Sequence, residues 1–494
     1  MFKKKINNPF LGFKALSEKR LFLLLFAVAF FLRFPFFFRD YVDHDESTFI
    51  LMGQAWVDGF LPYTQLWDLK PPLTFLFFAI LIKLFGKSFI AIRLAGTLLV
   101  TITAFFTCKM GNTIGSKKNG VIAALLCVVF LSMFGSLQGV MSEHISICFF
   151  VVGVYLFLFK KLWYSFLLAG VLFGCAAMTK LNLAYPFFLL ALYQLLLSHQ
   201  KKQLFKLTMV GLAMCFVIIM TALPYYLDNS LDIWWKSVIE APLAYGNEHK
   251  KSTLKTVLTS LFIFSLILIG YKKGFYHFKD EKVTALFVII IGILISFIQA
   301  GKINSHYLIQ LYPFICILVL IACNQIPYII RLRYPKLLLL LIILLPIEAY
   351  LEYANIIKNK TEKGTFFNGE GFDVPRYFVS NGLNTKSILF LRYHIGYWVL
   401  DEYPLTKVAT HPSNILRETL HPYIQDTRWA PHEELRHIME DIRPVFIVIR
   451  KNRRVFDKAK YVANFYMQLQ LLKNYAPLDT IDNAVIHQRL EMFE

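Results

Sequence analysis

The sequence predicts a polytopic α-helical membrane protein that ends in a soluble α/β domain, on three observations. The chain has 494 residues, is 57% hydrophobic and holds 48 Phe, beyond the apolar and aromatic content of a soluble domain. Runs such as 21–38, 121–134, 207–223, 283–298 and 336–347 are nearly free of charge and long enough, or almost so, to cross a bilayer as helices. From about 355 the composition becomes that of a soluble domain.

Charge placement supports the same reading. Residues 355–494 carry 19 Lys and Arg against 16 Asp and Glu, so about +3 of the formal +20 lies there. The remaining excess falls in short loops between apolar runs, which marks cytoplasmic loops and argues against a nucleic-acid partner. All seven cysteines lie within apolar runs and read as small hydrophobic residues, with no disulfide framework or Cys metal site.

Taken in order, the basic residues of 3–20 place the N-terminus in the cytoplasm. Arg33 and Pro35 interrupt the first apolar run and no small-residue cleavage site follows, so the first helix, 21–38, is expected to stay uncleaved. It delivers a first outer loop, 39–87. The short apolar piece 73–85 is expected to be re-entrant or interfacial, because counting it as a span would invert every later basic loop. The following spans are then 88–108, 120–136, 145–159, 163–178, 183–197, 207–226, 255–270, 283–300, 307–323 and 336–351. With the first helix this makes about eleven, within a range of ten to thirteen. Residues 1–354 form the transmembrane domain. Residues 355–494 form the exported domain, with strands expected at Ser387–Leu391, Val445–Ile449 and Ile481–His487 around a helical stretch at 432–442.

The chemistry-bearing stretch is 39–73. Asp40, Asp43, Asp45, Glu46 and His44 crowd into seven residues after the first helix. Ionisable groups against a membrane are costly and point to function. Phe49, Met52 and Trp56 recur at helical spacing, with Gly59 as a stop, so Asp45 could simply be an N-cap. Asp43, Asp45 and Glu46 are also hard-oxygen metal ligands. The functional reading is a general base that deprotonates an acceptor hydroxyl. Lys70, with Asp68, closes the loop before Pro71-Pro72. It either snorkels or pairs with a phosphate, joined by Arg93, Lys302 and His306. Asp68, Glu143, Lys180 and Tyr307 join them as candidates for the substrate site, although Glu143 and Lys180 suit structural partners inside the bundle and His306-Tyr307 also reads as a cap or interfacial anchor.

In combination, DHDE at 43–46, Asp58-Gly59 with Pro62-Tyr63, KPPL at 70–73, GKSFIAIRLAG at 86–96, SEH at 142–144, GCAAMTKLNLAYP at 174–186 and GKINSHYLIQLYP at 301–313 resemble a known family. It is that of the bacterial membrane glycosyltransferases related to protein O-mannosyltransferases and lipid A aminoarabinose transferases. The resemblance implies a C-type glycosyltransferase (GT-C) fold. It also implies transfer of a sugar from a polyprenyl-phosphate donor to a glycan, lipid or protein acceptor outside the cytoplasmic membrane, typically with inversion. It maps the catalytic acid pair onto Asp45-Glu46, with Asp45 as base and Asp43 as competitor. Lys70 falls near the donor phosphate and His306-Tyr307 on the family's His-Tyr position. The lack of a second acidic cluster favours a branch with no obligatory metal. Rival readings are a transporter or flippase of a lipid-linked or anionic substrate, and a non-catalytic envelope-assembly protein. Transporter sites usually lie at mid-membrane between internal repeats, a pattern this sequence lacks.

Overall fold

The computed structural model describes residues 17–197, 201–248, 253–275, 280–301, 303–325, 343–424 and 430–490. Lys302, the basic loop around 331–336 and the first part of the expected 336–351 span, up to 342, lie outside them. The described chain is mostly helical. Among the described residues, six helices are long and apolar enough to cross a membrane: 18–38, 89–114, 142–159, 203–227, 254–272 and 281–299. Shorter apolar helices cover 72–85, 163–177, 181–197 and 312–323. Each expected span within the described residues is thus helical over most of its length.

The first helix, α1 (Glu18–Arg33), is capped by Ser17, whose side chain accepts from the Arg20 N–H. Leu21, Leu25, Ala29 and Leu32 form one buried stripe, while Leu23 and Phe31 on other faces are more than half exposed. Outward-facing apolar side chains of this kind suit lipid rather than water. Arg33 ends the helix fully buried and donates to the carbonyls of Leu131, Leu137 and Gly139. Those carbonyls belong to an irregular stretch. The helix expected at 120–136 covers Lys117–Phe130 instead, and buried carbonyls beyond its end need a donor. Arg33 supplies it, which is why a charge interrupts an apolar run.

The chain folds as two compact units. The first comprises 1–35, 93–220 and 249–352; the second comprises 36–92, 221–248 and 353–494. In this grouping the first outer loop packs with the C-terminal region.

Within the first unit, helices approach closely at glycines. A Cβ at Gly292 on Glu281–Gln299 would stand 2.4 Å from Cα of Pro186 on Ala184–Leu197, so only a hydrogen fits there.

In the second unit, α2 (His44–Val57) and α3 (Pro72–Phe85) pack side by side through Phe49, Phe75 and Phe78. The N-cap of α2 is Asp43, whose carboxylate accepts the Asp45 N–H at 3.0 Å; the cap anticipated at Asp45 is two residues too late. Gly59 follows the helix end at φ 101°, as its stop role requires. Helix α3 has 14 residues, about 21 Å at 1.5 Å each, short of a ~30 Å hydrocarbon core.

A four-stranded sheet of order β1-β2-β4-β3 lies in the C-terminal region. Strand β1 (Ile388–Phe390) runs parallel to β2 (Phe446–Arg450), which pairs antiparallel with β4 (Ala484–Arg489) beside β3 (Tyr475–Ile481). The strand expected at Ile481–His487 is present as β4, which begins at Ala484, while Ile481 ends β3 and a tight turn joins the two. Asp482 takes a left-handed φ of 51° at the turn, a conformation that Asp tolerates and that apolar periodicity does not reveal. The stretch 432–442 is helical, as Pro431–Arg436 and then a wider turn at His437–Ile442.

The same unit ties 36–92 to 353–494. Arg39 and Asn368 form a parallel bridge. Asp40 accepts the Gly371 N–H at 2.8 Å, and Gly369, at φ 108°, lies against the Asp40 carboxylate. Lys87 donates to the Trp398 carbonyl and pairs with Asp401. The Trp398 indole donates to Gln54 at 3.0 Å, and Tyr403 donates to Asp58.

Candidate active site

Among the described residues, most of the expected site residues fall into two clusters, one per unit. In the second unit the cluster starts at the N-terminal turn of α2, where Asp43 is occupied as the cap. The same first turn buries Glu46 completely, with its carboxylate 3.5 Å from the Val42 N–H. Asp45 points elsewhere and stays a quarter exposed. Its Oδ2 lies 3.1 Å from Nζ of Lys70, and its Oδ1 lies 3.4 Å from Nε2 of His411.

Lys70 is held from several sides. Its carbonyl accepts from the Tyr63 hydroxyl at 2.6 Å, and Tyr63 is buried with φ 72°. Its ammonium also sits 3.8 Å from Asp68 and 5.1 Å from the centre of the Phe49 ring. Asp68 is buried. The Pro71-Pro72 pair fixes the backbone where α3 begins. Asp45, Lys70 and Asp68 are therefore brought together, as the loop's two ends suggested. Glu46 and Asp43 face different partners.

Three histidines stand around this end of α2. His44 and His394 stack in parallel with ring centres 5.5 Å apart, and His411 lies 6.1 Å and 5.9 Å from them. Arg392 donates to Nε2 of His44 at 2.6 Å, and His394 hydrogen-bonds Thr48 at 3.1 Å. Burial, with the neighbouring His411 and Arg392, pushes the His44 pKa down to about 3. Burial and the His44 and His411 charges hold His394 well below its usual range. Both are neutral rings at ordinary pH. Asp40 shifts the other way: burial raises it to about 7 despite the Gly371 N–H.

Sequence reasoning passed over His394, His411 and Arg392. They sit at 346–366 residues' remove from their partners on α2, in irregular segments of the C-terminal region where no spacing rule marks them.

The first unit holds the other cluster. Glu143, at the start of Ser142–Phe159, is fully buried and paired with Lys180, with Ser142 donating to its second oxygen at 3.0 Å. His306 Nε2 is 3.8 Å from the same carboxylate. The Lys180 ammonium lies 4.6 Å from the centre of the Tyr307 ring, a cation–π contact. Asn182 and Gln310 join the same connections at 3.0 Å. Arg93 is buried in the long helix Phe89–Ile114. His144 serves the fold: its Nδ1 accepts the Met141 N–H at 3.2 Å, capping the helix.

Among the described residues, no group of three or more His, Cys, Asp or Glu is placed to hold a metal ion.

Residues 69–226 match the family model described as dolichyl-phosphate-mannose-protein mannosyltransferase. No curated protein sequence matches the chain. Among solved structures, the chain is similar to ArnT of Cupriavidus metallidurans bound to undecaprenyl phosphate, at TM-score 0.56 and 11% identity over 95% of this chain and 98% of that one. It is likewise similar to the apo form of that protein, at TM-score 0.57 and 11% identity over 95% and 97% of the two chains. At this identity the likeness is one of fold.

Proposed function

We propose that this chain is a member of the C-type glycosyltransferase superfamily and transfers a sugar from a polyprenyl-phosphate donor to an acceptor hydroxyl outside the cytoplasmic membrane, a reading supported by the family-model match over 69–226 and the likeness of fold. The observation that carries the reading is the Asp45–Lys70 pair, 3.1 Å apart and partly exposed among buried neighbours. A base and a cation meet there within reach of an incoming substrate.

In the proposed reaction Asp45 takes the proton of the acceptor hydroxyl as its oxygen attacks the anomeric carbon. The bond from that carbon to the phosphate oxygen breaks, and its electron pair leaves with the lipid phosphate. A single displacement inverts the anomeric centre. Lys70 neutralises the charge that grows on the departing oxygen. Arg93, Lys302 and His306 are proposed helpers at the phosphate, on their residue types and motif positions.

The ion pair adds a coupling. Without donor, the Lys70 ammonium lies against Oδ2 of Asp45. A donor phosphate that takes over Lys70 draws the ammonium off the oxygen that is to meet the acceptor hydroxyl when there is a sugar to transfer. No general acid is needed, because the phosphate leaves as a weak base.

The test compares wild type with Asp45→Asn in membranes supplied with labelled undecaprenyl-phosphate sugars. Loss of a positioned base costs about 10²- to 10⁴-fold in rate. Unchanged transfer by folded Asp45→Asn protein would remove Asp45 from the reaction.

A further inference from the structure

The geometry points to His411, from the C-terminal region, as a positioning residue for the proposed base; this rests on the reading of Asp45 given above. The local structure fixes which nitrogen does what. The Ser413 backbone N–H, which can only donate, points at Nδ1 of His411 at 3.3 Å, and the Ser413 hydroxyl lies 2.7 Å from the same atom. Nδ1 is therefore an acceptor, and a neutral ring then carries its proton on Nε2. Nε2 is the atom that faces Oδ1 of Asp45 at 3.4 Å.

Asp45 is thus gripped at both oxygens, by Lys70 on Oδ2 and by His411 on Oδ1. The two grips differ in kind. Lys70 is the group a donor phosphate would draw away, whereas His411 is fixed by a short helical turn, Pro412–Leu416, for which it is the N-cap. When Lys70 turns to the phosphate, the Nε2–H of His411 keeps the carboxylate oriented, with Oδ2 as the oxygen that takes the acceptor proton. His44 and His394, the other titratable groups facing this ring, are themselves held by Arg392 and Thr48. Positioning of a reacting group within a fraction of an ångström is worth one to several orders of magnitude in rate. The C-terminal region would on this account complete the active site rather than accompany it.

The experiment uses the full chain in lipid nanodiscs with a labelled undecaprenyl-phosphate sugar. His411→Ala should lower turnover about 10-fold or more with donor KM changed by no more than about 3-fold. His411→Gln, whose amide nitrogen can stand where Nε2 does, should restore most of it. Folded His411→Ala with wild-type turnover, or His411→Gln as impaired as His411→Ala, would overturn the proposal. A second readout is independent of turnover. In ¹⁵N-histidine solid-state NMR, the signals lost in His411→Gln should report the Nε2–H tautomer and shift in Asp45→Asn. An Nδ1–H tautomer, or no response to Asp45→Asn, would also overturn it. Failure of Asp45→Asn to reduce transfer sinks the base itself, whereas an inactive Asp45→Asn beside an unaffected His411→Ala sinks only the positioning role.

Discussion

Lys70 Nζ lies 3.1 Å from Oδ2 of Asp45, 25 residues earlier in the chain. The two residues bound one loop, and each changes what the other does. Lys70→Met should raise donor KM and lower turnover, together costing about 10²-fold or more in kcat/KM. Because the residues act as a unit, Asp45→Asn/Lys70→Met should be little worse than the poorer single variant. Initial rates across donor concentration check this, and additive losses would separate the two roles.

Gly369 has φ 108°, and a Cβ there would stand 2.4 Å from the Asp40 carboxylate carbon. Gly369→Ala should therefore destabilise the second unit by more than about 2 kcal/mol, from left-handed backbone strain and a clash together. Gly364, at φ 72° with nothing near its Cβ position, isolates the backbone term, about 1–2 kcal/mol. Thermal unfolding in detergent should rank Gly369→Ala below Gly364→Ala; equal losses would leave the clash without weight.

Two buried groups give the second unit a pH dependence of opposite signs. His44 has its pKa lowered to about 3, so its contribution is full above about 6.5 and is lost as pH falls toward 3. Asp40 has its pKa raised to about 7, so its contribution is full below about 3.8 and is lost as pH rises toward 7. Asp40→Asn cannot ionise and keeps an acceptor for the Gly371 N–H. Relative to wild type it should gain stability between pH 4 and 7, by up to about 4 kcal/mol. Melting temperatures at several pH values measure this, and a difference independent of pH would contradict the shift.

Glu143 and Lys180 form a buried pair in the first unit, with Glu143 fully enclosed. Removing one partner strands the other charge, so Glu143→Gln or Lys180→Met alone should cost about 3–5 kcal/mol. The double variant should recover much of that loss. A double variant as unstable as the sum of the singles would show that the two do not act as a pair.

A tag at the C-terminus should be accessible from outside the cytoplasmic membrane, and one at the N-terminus only after permeabilisation. A cytoplasmic C-terminal tag would overturn the proposed topology and, with it, the proposed placing of the transfer reaction.

Much of the fold was legible in the sequence because membrane helices follow a long, simple signal. Apolar runs, basic loops and a change of composition suffice to expect a helical bundle and a sheet-bearing C-terminal region. The first loop was legible for a local reason. Asp45 and Lys70 are joined by a short helix and a proline-fixed turn, so residue order already hints at their meeting. The cap was misplaced by two residues, since Asp43, His44 and Asp45 offer similar chemistry and only backbone conformation chooses among them.

Tertiary structure alone decided which groups surround Asp45. Residue types by themselves made Asp45 and Lys70 candidates, and the run of short apolar and basic segments determined where helices would form. That His411 reaches Asp45, that His394 stacks on His44, and that 36–92 packs with 353–494 depend on contacts spanning hundreds of residues. Such contacts arise from packing of buried faces and paired backbone groups, which carry no fixed spacing in sequence. The irregular segments that hold Arg392, His394 and His411 have no period to read, so their chemistry shows only after the chain has folded.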